Sequence, residues 1–271
     1  MTEEILTQAM LDRPMEYAVM ERYLAALADT YALPVQTIGT SVSGRAIRAL
    51  ALGDPRLREN ADKASYAALY VGGAEEGDWV STAICLRFLR DYCVFRAENR
   101  RLYGVHLPYL WENRTIYVIP CLHPDGMYTA KRSQSLLPRP QSLSIRESFL
   151  PGMPLSSTDG AMTPPETAAF CQFCLVTETR LLLHLTSSGE NGICTVPHST
   201  SRAATIGKLL ARMASYPFAA CEGQRSPVSW YTEEIHRPAF RIALGRDRSE
   251  VGYYYGYAAL REVLFSAPLL L

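Results

Sequence analysis

Val71-Gly72-Gly73-Ala74-Glu75-Glu76-Gly77-Asp78-Trp79 is the stretch on which the reading of this chain turns. It follows a short apolar run, Tyr66 to Val71, of the kind that forms a strand buried on both faces. Two glycines then allow a sharp turn. From Asp78 to Phe95 the apolar residues recur at helical spacing, predicting an amphipathic helix. Glu75 and Asp78 therefore sit where a strand hands over to a helix. The plain reading of two acids there is that the helix dipole favours negative charge at its start. The sharper reading is a pair of carboxylates holding a hard cation, Mg²⁺ or Ca²⁺, with Thr186 and water.

Working outward, residues 14 to 31 carry Met15, Val19, Tyr23, Leu24, Leu27 and Tyr31 at helical spacing, and Pro34 ends the pattern. Val35 to Ser41 and Arg45 to Leu52 read as two strands joined by Ser41-Val42-Ser43-Gly44, hence a hairpin. Thr115 to Pro120 is another buried strand, closing on the turn His123-Pro124-Asp125-Gly126. Thr163-Pro164-Pro165-Glu166 reads as a helix start with Thr163 as cap. Arg180 to Leu185 and Ala239 to Leu244 are further strands; Ser199 to Ala214 and Tyr254 to Phe265 are further helices. Residues 127 to 162 are rich in Ser, Pro, Arg and Leu and read as a long irregular loop. Alternating helices and buried strands, with neither repeat nor linker, predict one α/β domain over 1–271 with a mixed sheet covered on both faces.

Composition narrows the function classes. The 271 residues are 48% hydrophobic and 20% charged, and 27 basic residues balance 27 acidic ones. Such a balance points away from nucleic acid and anionic membranes as partners. The N-terminus, Met1-Thr2-Glu3-Glu4-Ile5, lacks a basic-then-apolar leader, so the expected location is the cytoplasm. Seven cysteines without framework spacing, including Cys85, Cys93, Cys121 and Cys194 in apolar contexts, are expected to be reduced core residues. Cys171 and Cys174 have ligand-like spacing but lie in a helical pattern without a second pair, which argues against structural zinc.

Several motifs together resemble the zinc carboxypeptidases (carboxypeptidase A-like). Ile38-Gly39-Thr40-Ser41-Val42-Ser43-Gly44-Arg45-Ala46-Ile47 is similar to that family's iG-S-x-x-G-R-x-I hairpin. Val71 to Trp79 resembles its Gly-Gly-x-His-x-x-Glu-Trp zinc turn, and Ile119 to Gly126 its iP-x-x-Asn-Pro-Asp-Gly. Pro165-Glu166-Thr167 resembles S-E-P-E-T. Leu183 to Gly189 is similar to the strand ending in H-S-x-G. Trp230 and Pro238 to Gly245 are similar to D-W and P-x-F-T-I-E-L-G. The order holds over about residues 14 to 265. The resemblance implies a mostly parallel sheet of about eight strands, and is nearest the bacterial branch that cleaves γ-D-glutamyl-diaminopimelate bonds.

The resemblance implies zinc as cofactor, but the residues that would serve it are replaced. Glu75 stands at the first His, Asp78 at the Glu, Thr186 at the third ligand, and Ala243 at the general base. A catalytic zinc needs three protein ligands and a base for its water, so the reading is of a degenerate enzyme with no cofactor. His184 would share the face of Thr186, though it lies roughly 6–7 Å further along the strand. Arg146 is the nearest match to the family's carboxylate-gripping arginine. Glu190 and Trp230 are further cleft candidates, although Trp230, like Trp79, reads first as a packing residue. Asp125 and Arg45 read as structural. The expected role is binding of a peptide or cell-wall muropeptide. The alternatives are an active metallopeptidase with an unusual site, and a structural or assembly protein with a plugged cleft.

Overall fold

The computed structural model describes residues 11, 13–54, 56–57, 66–127, 148–149, 163–221 and 225–271. Helix α1 spans Tyr17–Tyr31. Strands β1 (Val35–Thr40) and β2 (Ala46–Leu52) form the expected hairpin. Strand β3 (Ala67–Val71) leads into α2 (Trp79–Ala97). A small two-stranded ribbon, β4 (Arg101–Leu102) with β5 (Val105–His106), precedes α3 (Leu107–Asn113) and β6 (Thr115–Ile119). Next come α4 (Pro165–Thr177), β7 (Leu181–Thr186), β8 (Gly192–Thr195), α5 (Ser201–Ala214) and β9 (Phe218–Ala220). The short α6 (Pro227–Trp230) widens into a π turn over Tyr231–Ile235. After it, β10 (Ala239–Ala243) and α7 (Glu250–Ser266) complete the domain.

One eight-stranded sheet runs in the order β1-β2-β6-β3-β7-β10-β8-β9. Its centre, β6-β3-β7-β10, is parallel, while β1, β2 and β8 pair antiparallel with their inner neighbours. Strand alternation divides the core. Ala68, Tyr70, Leu181, Leu183, Leu185, Phe240 and Ile242 face α1, α2, α3, α5 and α7. Leu69, Val71, Leu182 and Ala239 face α4 and α6. Strands packed on both sides read as apolar runs, which is why these segments stand out in the sequence. The expected single α/β domain with a mostly parallel sheet and helices on both faces is the fold observed.

Three sequence expectations need correction. The helix that begins after Asp78 is not amphipathic: α2 is buried along most of its circumference, because α1 and α7 also lie against it. Thr163 does not cap α4; Pro164 occupies that position and makes no side-chain cap bond. Cys194 is not a free thiol. It forms a disulfide with Cys221, across Cα atoms 5.0 Å apart, joining β8 to the residue just after β9. Cys85, Cys93, Cys121, Cys171 and Cys174 are free and buried, as expected.

Candidate functional site

The parallel strands all end at one pole of the sheet, where α/β folds place their ligands. The segments leaving β3, β6, β7 and β10 are stitched together there. Gly72 donates its amide to Ile119 (3.0 Å), Leu122 to Gly72 (3.0 Å), His123 to Gly73 (2.8 Å) and Leu244 to Thr186 (2.8 Å). The two glycines are sterically required. Gly73 has φ +57°, and a Cβ there would lie 2.9 Å from the Cα of Cys121. A Cβ on Gly72 would lie 2.8 Å from the carbonyl oxygen of Ser81. Ser81 in turn receives the Gly73 amide on its Oγ at 2.8 Å.

Asp78 is the N-cap of α2 and is 1% exposed. Its Oδ1 accepts from the Ser81 amide (3.1 Å) and its Oδ2 from the Ser187 amide (3.0 Å). Burial pushes its carboxyl up from the ordinary value, and the bonds from Ser187 and Ser81 pull it back in part. Asp78 thus pins a helix start to the end of β7. Glu75, half-buried, accepts the Ser188 hydroxyl on Oε1 at 2.8 Å. Thr186, fully buried, donates its hydroxyl to Ser188 Oγ and accepts the Ser188 amide, both at 3.1 Å.

Ala243 lies beside Thr186 in the β7–β10 ladder, and Arg241 lies beside His184. Three of the four positions inferred from motif alignment, 78, 186 and 243, therefore meet at the ends of α2, β7 and β10, and Glu75 joins them through Ser188. His184 is buried one pleat pair below Thr186. Arg241 is a site residue that the motif reading does not single out. Its Nη2 donates to the Ser188 carbonyl (3.0 Å) and to Ser188 Oγ (2.7 Å). A signal for it exists in the sequence: one guanidinium in an otherwise apolar buried run.

Other candidates fall elsewhere. Trp230 is 3% exposed and packs edge-on against Phe170 at 5.9 Å, so it is a core residue and offers no binding surface. Trp79 is likewise buried, against Tyr253, with its Nε1 donating to the Arg248 carbonyl at 3.0 Å. Glu190 is exposed in the segment between β7 and β8. Arg146 lies outside the described residues, as does nearly all of 127–162. Asp125 binds the hairpin turn: Arg45 Nη1 at 3.1 Å, Ser41 Oγ at 2.9 Å and the Ser43 amide at 2.9 Å. A separate cavity of about 300 Å³, bordered by Glu178, Arg180, Glu234 and Arg237, opens at the opposite pole of the sheet.

A sequence model described as zinc carboxypeptidase matches residues 20–143. The metallo-carboxypeptidase of Burkholderia cenocepacia superposes with a TM-score of 0.73 at 11% identity, over 95% of this chain and 70% of that one. Carboxypeptidase A from Helicoverpa armigera gives 0.69 at 14% identity, over 96% and 74%. The bovine thrombin-activatable fibrinolysis inhibitor, solved with a tick carboxypeptidase inhibitor, gives 0.68 at 16%, over 96% and 97%. The chain has the fold of the zinc carboxypeptidases. No curated protein sequence matches it.

The fold resembled is one of zinc enzymes, and the donors at this pole do not fit zinc. Among the described residues no three His, Cys, Asp or Glu side chains converge. Both Asp78 oxygens are taken by backbone amides. The Ser188 hydroxyl donates once and accepts twice, which saturates it. Of the aligned positions, the Glu75 carboxylate and the Thr186 hydroxyl remain. That set lacks the imidazoles that suit zinc and the second carboxylate expected of a Mg²⁺ or Ca²⁺ site.

Proposed function

We propose that this carboxypeptidase-like chain does not hydrolyse peptides through a bound metal, and that the cleft at the strand ends serves to bind a peptide. The observation that carries this reading is the engagement of Asp78. A carboxylate held by two backbone amides and buried to 1% exposure is a structural cap rather than a ligand awaiting an ion. Ala243, at the aligned base position, has no atom that accepts a proton, and a metal-activated water needs such a base. Loss of either function alone costs orders of magnitude in rate.

The fold supports a peptide as the bound class, and the nearest sequence flavour narrows it to cell-wall peptides containing γ-D-glutamyl-diaminopimelate. The Cys194–Cys221 disulfide supports an oxidising compartment. That favours a site of action outside the cytoplasm, in place of the location expected from the N-terminus. No helix among the described residues is long and apolar enough to cross a membrane.

The test is the zinc content of untagged protein after incubation with excess Zn²⁺ and dialysis, followed by calorimetric titration with a muropeptide carrying that bond. Near-zero zinc together with saturable binding, and no cleavage of the titrated peptide, is the expected result. About one retained zinc per chain, or cleavage of the peptide, would overturn the reading.

A further inference from the structure

Three departures from the family pattern converge on one hydroxyl. Glu75 and Thr186 stand where the pattern has His, and Arg241 stands where P-x-F-T-I-E-L-G has Thr. All three bond to Ser188 Oγ, at 2.8, 3.1 and 2.7 Å respectively. The hydrogen-bond directions are mutually consistent: Arg241 and Thr186 donate to the Ser188 oxygen, and Ser188 passes its single proton to Glu75. Arg241 is further fixed by the Ser188 carbonyl at 3.0 Å. Its strand neighbour across the ladder is His184, and it shares a face of β10 with Ala243.

We infer that Arg241 takes over the electrostatic place of the metal and is the residue that keeps divalent cations out. This rests on the reading that the site is not a metallopeptidase centre. A guanidinium is always charged at physiological pH. It is separated from Glu75 and Thr186 by one shared hydroxyl, so a doubly charged ion entering there meets a fixed positive charge a few ångströms away. At that range, and with the screening typical of a protein site, the repulsion weakens divalent binding by about tenfold or more. The same charge compensates Glu75 through Ser188 and lets that carboxylate remain at the site without an ion. Replacing the ligands alone therefore does not rebuild the metal site. The arginine has to go as well.

The experiment compares zinc affinity in Glu75→His/Thr186→His, with Asp78 left to cap α2, against the same pair carrying Arg241→Thr. Competition with a chromophoric chelator reads the affinity. The expected result is binding at least about tenfold tighter once Arg241 is removed, with Arg241→Lys in its place leaving affinity low because the charge is kept. Equal affinities with and without the Arg241→Thr substitution, including none in either, would overturn the inference. Should the combined variant not fold, Arg241→Gln alone is titrated with Mn²⁺ by electron paramagnetic resonance against wild type. Tighter binding in the variant is expected, and an unchanged affinity overturns the inference. The wild-type zinc control separates the two ideas. Zinc held by wild type sinks the functional reading, whereas equal zinc in the paired variants sinks only the role of Arg241.

Discussion

The hairpin lock around Asp125 and the strand-end cluster around Asp78 are both polar clusters on loops at the same pole of the sheet. In the first, Ser41, Arg45 and Asp125 all match the zinc carboxypeptidase pattern, and all bond to one another. In the second, the frame matches (Gly72, Gly73, Trp79) while the positions at 75, 78, 186 and 243 do not. The difference separates two kinds of constraint. A residue whose partner is the fold itself is held in place as long as the fold is needed. A residue whose partner is a bound ion is held only while the ion is needed, and can afterwards be rewritten into an ordinary hydrogen-bond network.

If that division is right, frame substitutions should hurt most. Gly73→Val is expected to cost about 3 kcal/mol or more, because it combines a left-handed backbone with a Cβ against Cys121 and Thr82. Loss of a cooperative urea transition would show it, and a near-neutral variant would break the comparison. Asp78→Ala comes next at about 2–4 kcal/mol, since it leaves two buried amides without acceptors. An effect below about 0.5 kcal/mol would mean that Asp78 is not part of the frame.

Asp78 also gives a pH test. Its carboxyl titrates higher folded than unfolded, so the folded chain binds the proton more readily. Its contribution to stability is present below the ordinary Asp value and is lost as pH rises through the raised one. Wild type should therefore lose stability relative to Asp78→Asn across that window, as seen in paired thermal melts. Asp125→Ala should cost about 1–2 kcal/mol, because its partners at the partly exposed hairpin turn are regained in part by water. Glu75→Gln should be smallest, within about 0.5 kcal/mol, since the amide oxygen still accepts from Ser188. Should Glu75→Gln cost more than Asp125→Ala in matched denaturation curves, the rewritten cluster has become part of the frame.

How far the sequence can be read follows the same line. Strands β3, β6, β7 and β10 announce themselves as apolar runs because helices cover them on both faces. The Gly72-Gly73 turn is legible because no other residue fits it. Strands β8 and β9 escape a sequence reading: each is short and partly exposed. The disulfide escapes with them, since Cys194 and Cys221 meet only once those strands pair. Motif order singles out positions 75, 78, 186 and 243. It does not find their new partners, because the bond from Arg241 to Ser188 spans 53 residues and leaves no local pattern. The five free thiols are legible from their apolar surroundings. Burial pushes them all up, Cys93 to about 12, which leaves little thiolate at neutral pH.

Strand β9 is only three residues long and forms the outer border of the sheet, with the Cys194–Cys221 cross-link fastening its end to β8. A border that short has few ladder bonds of its own. Once the cross-link is reduced, β9 can peel away and bare the flank of β8, a template on which a second chain can add its own strand. Exposure of that flank is therefore tied to the redox state of the surroundings, through two sulfur atoms at the edge of the sheet.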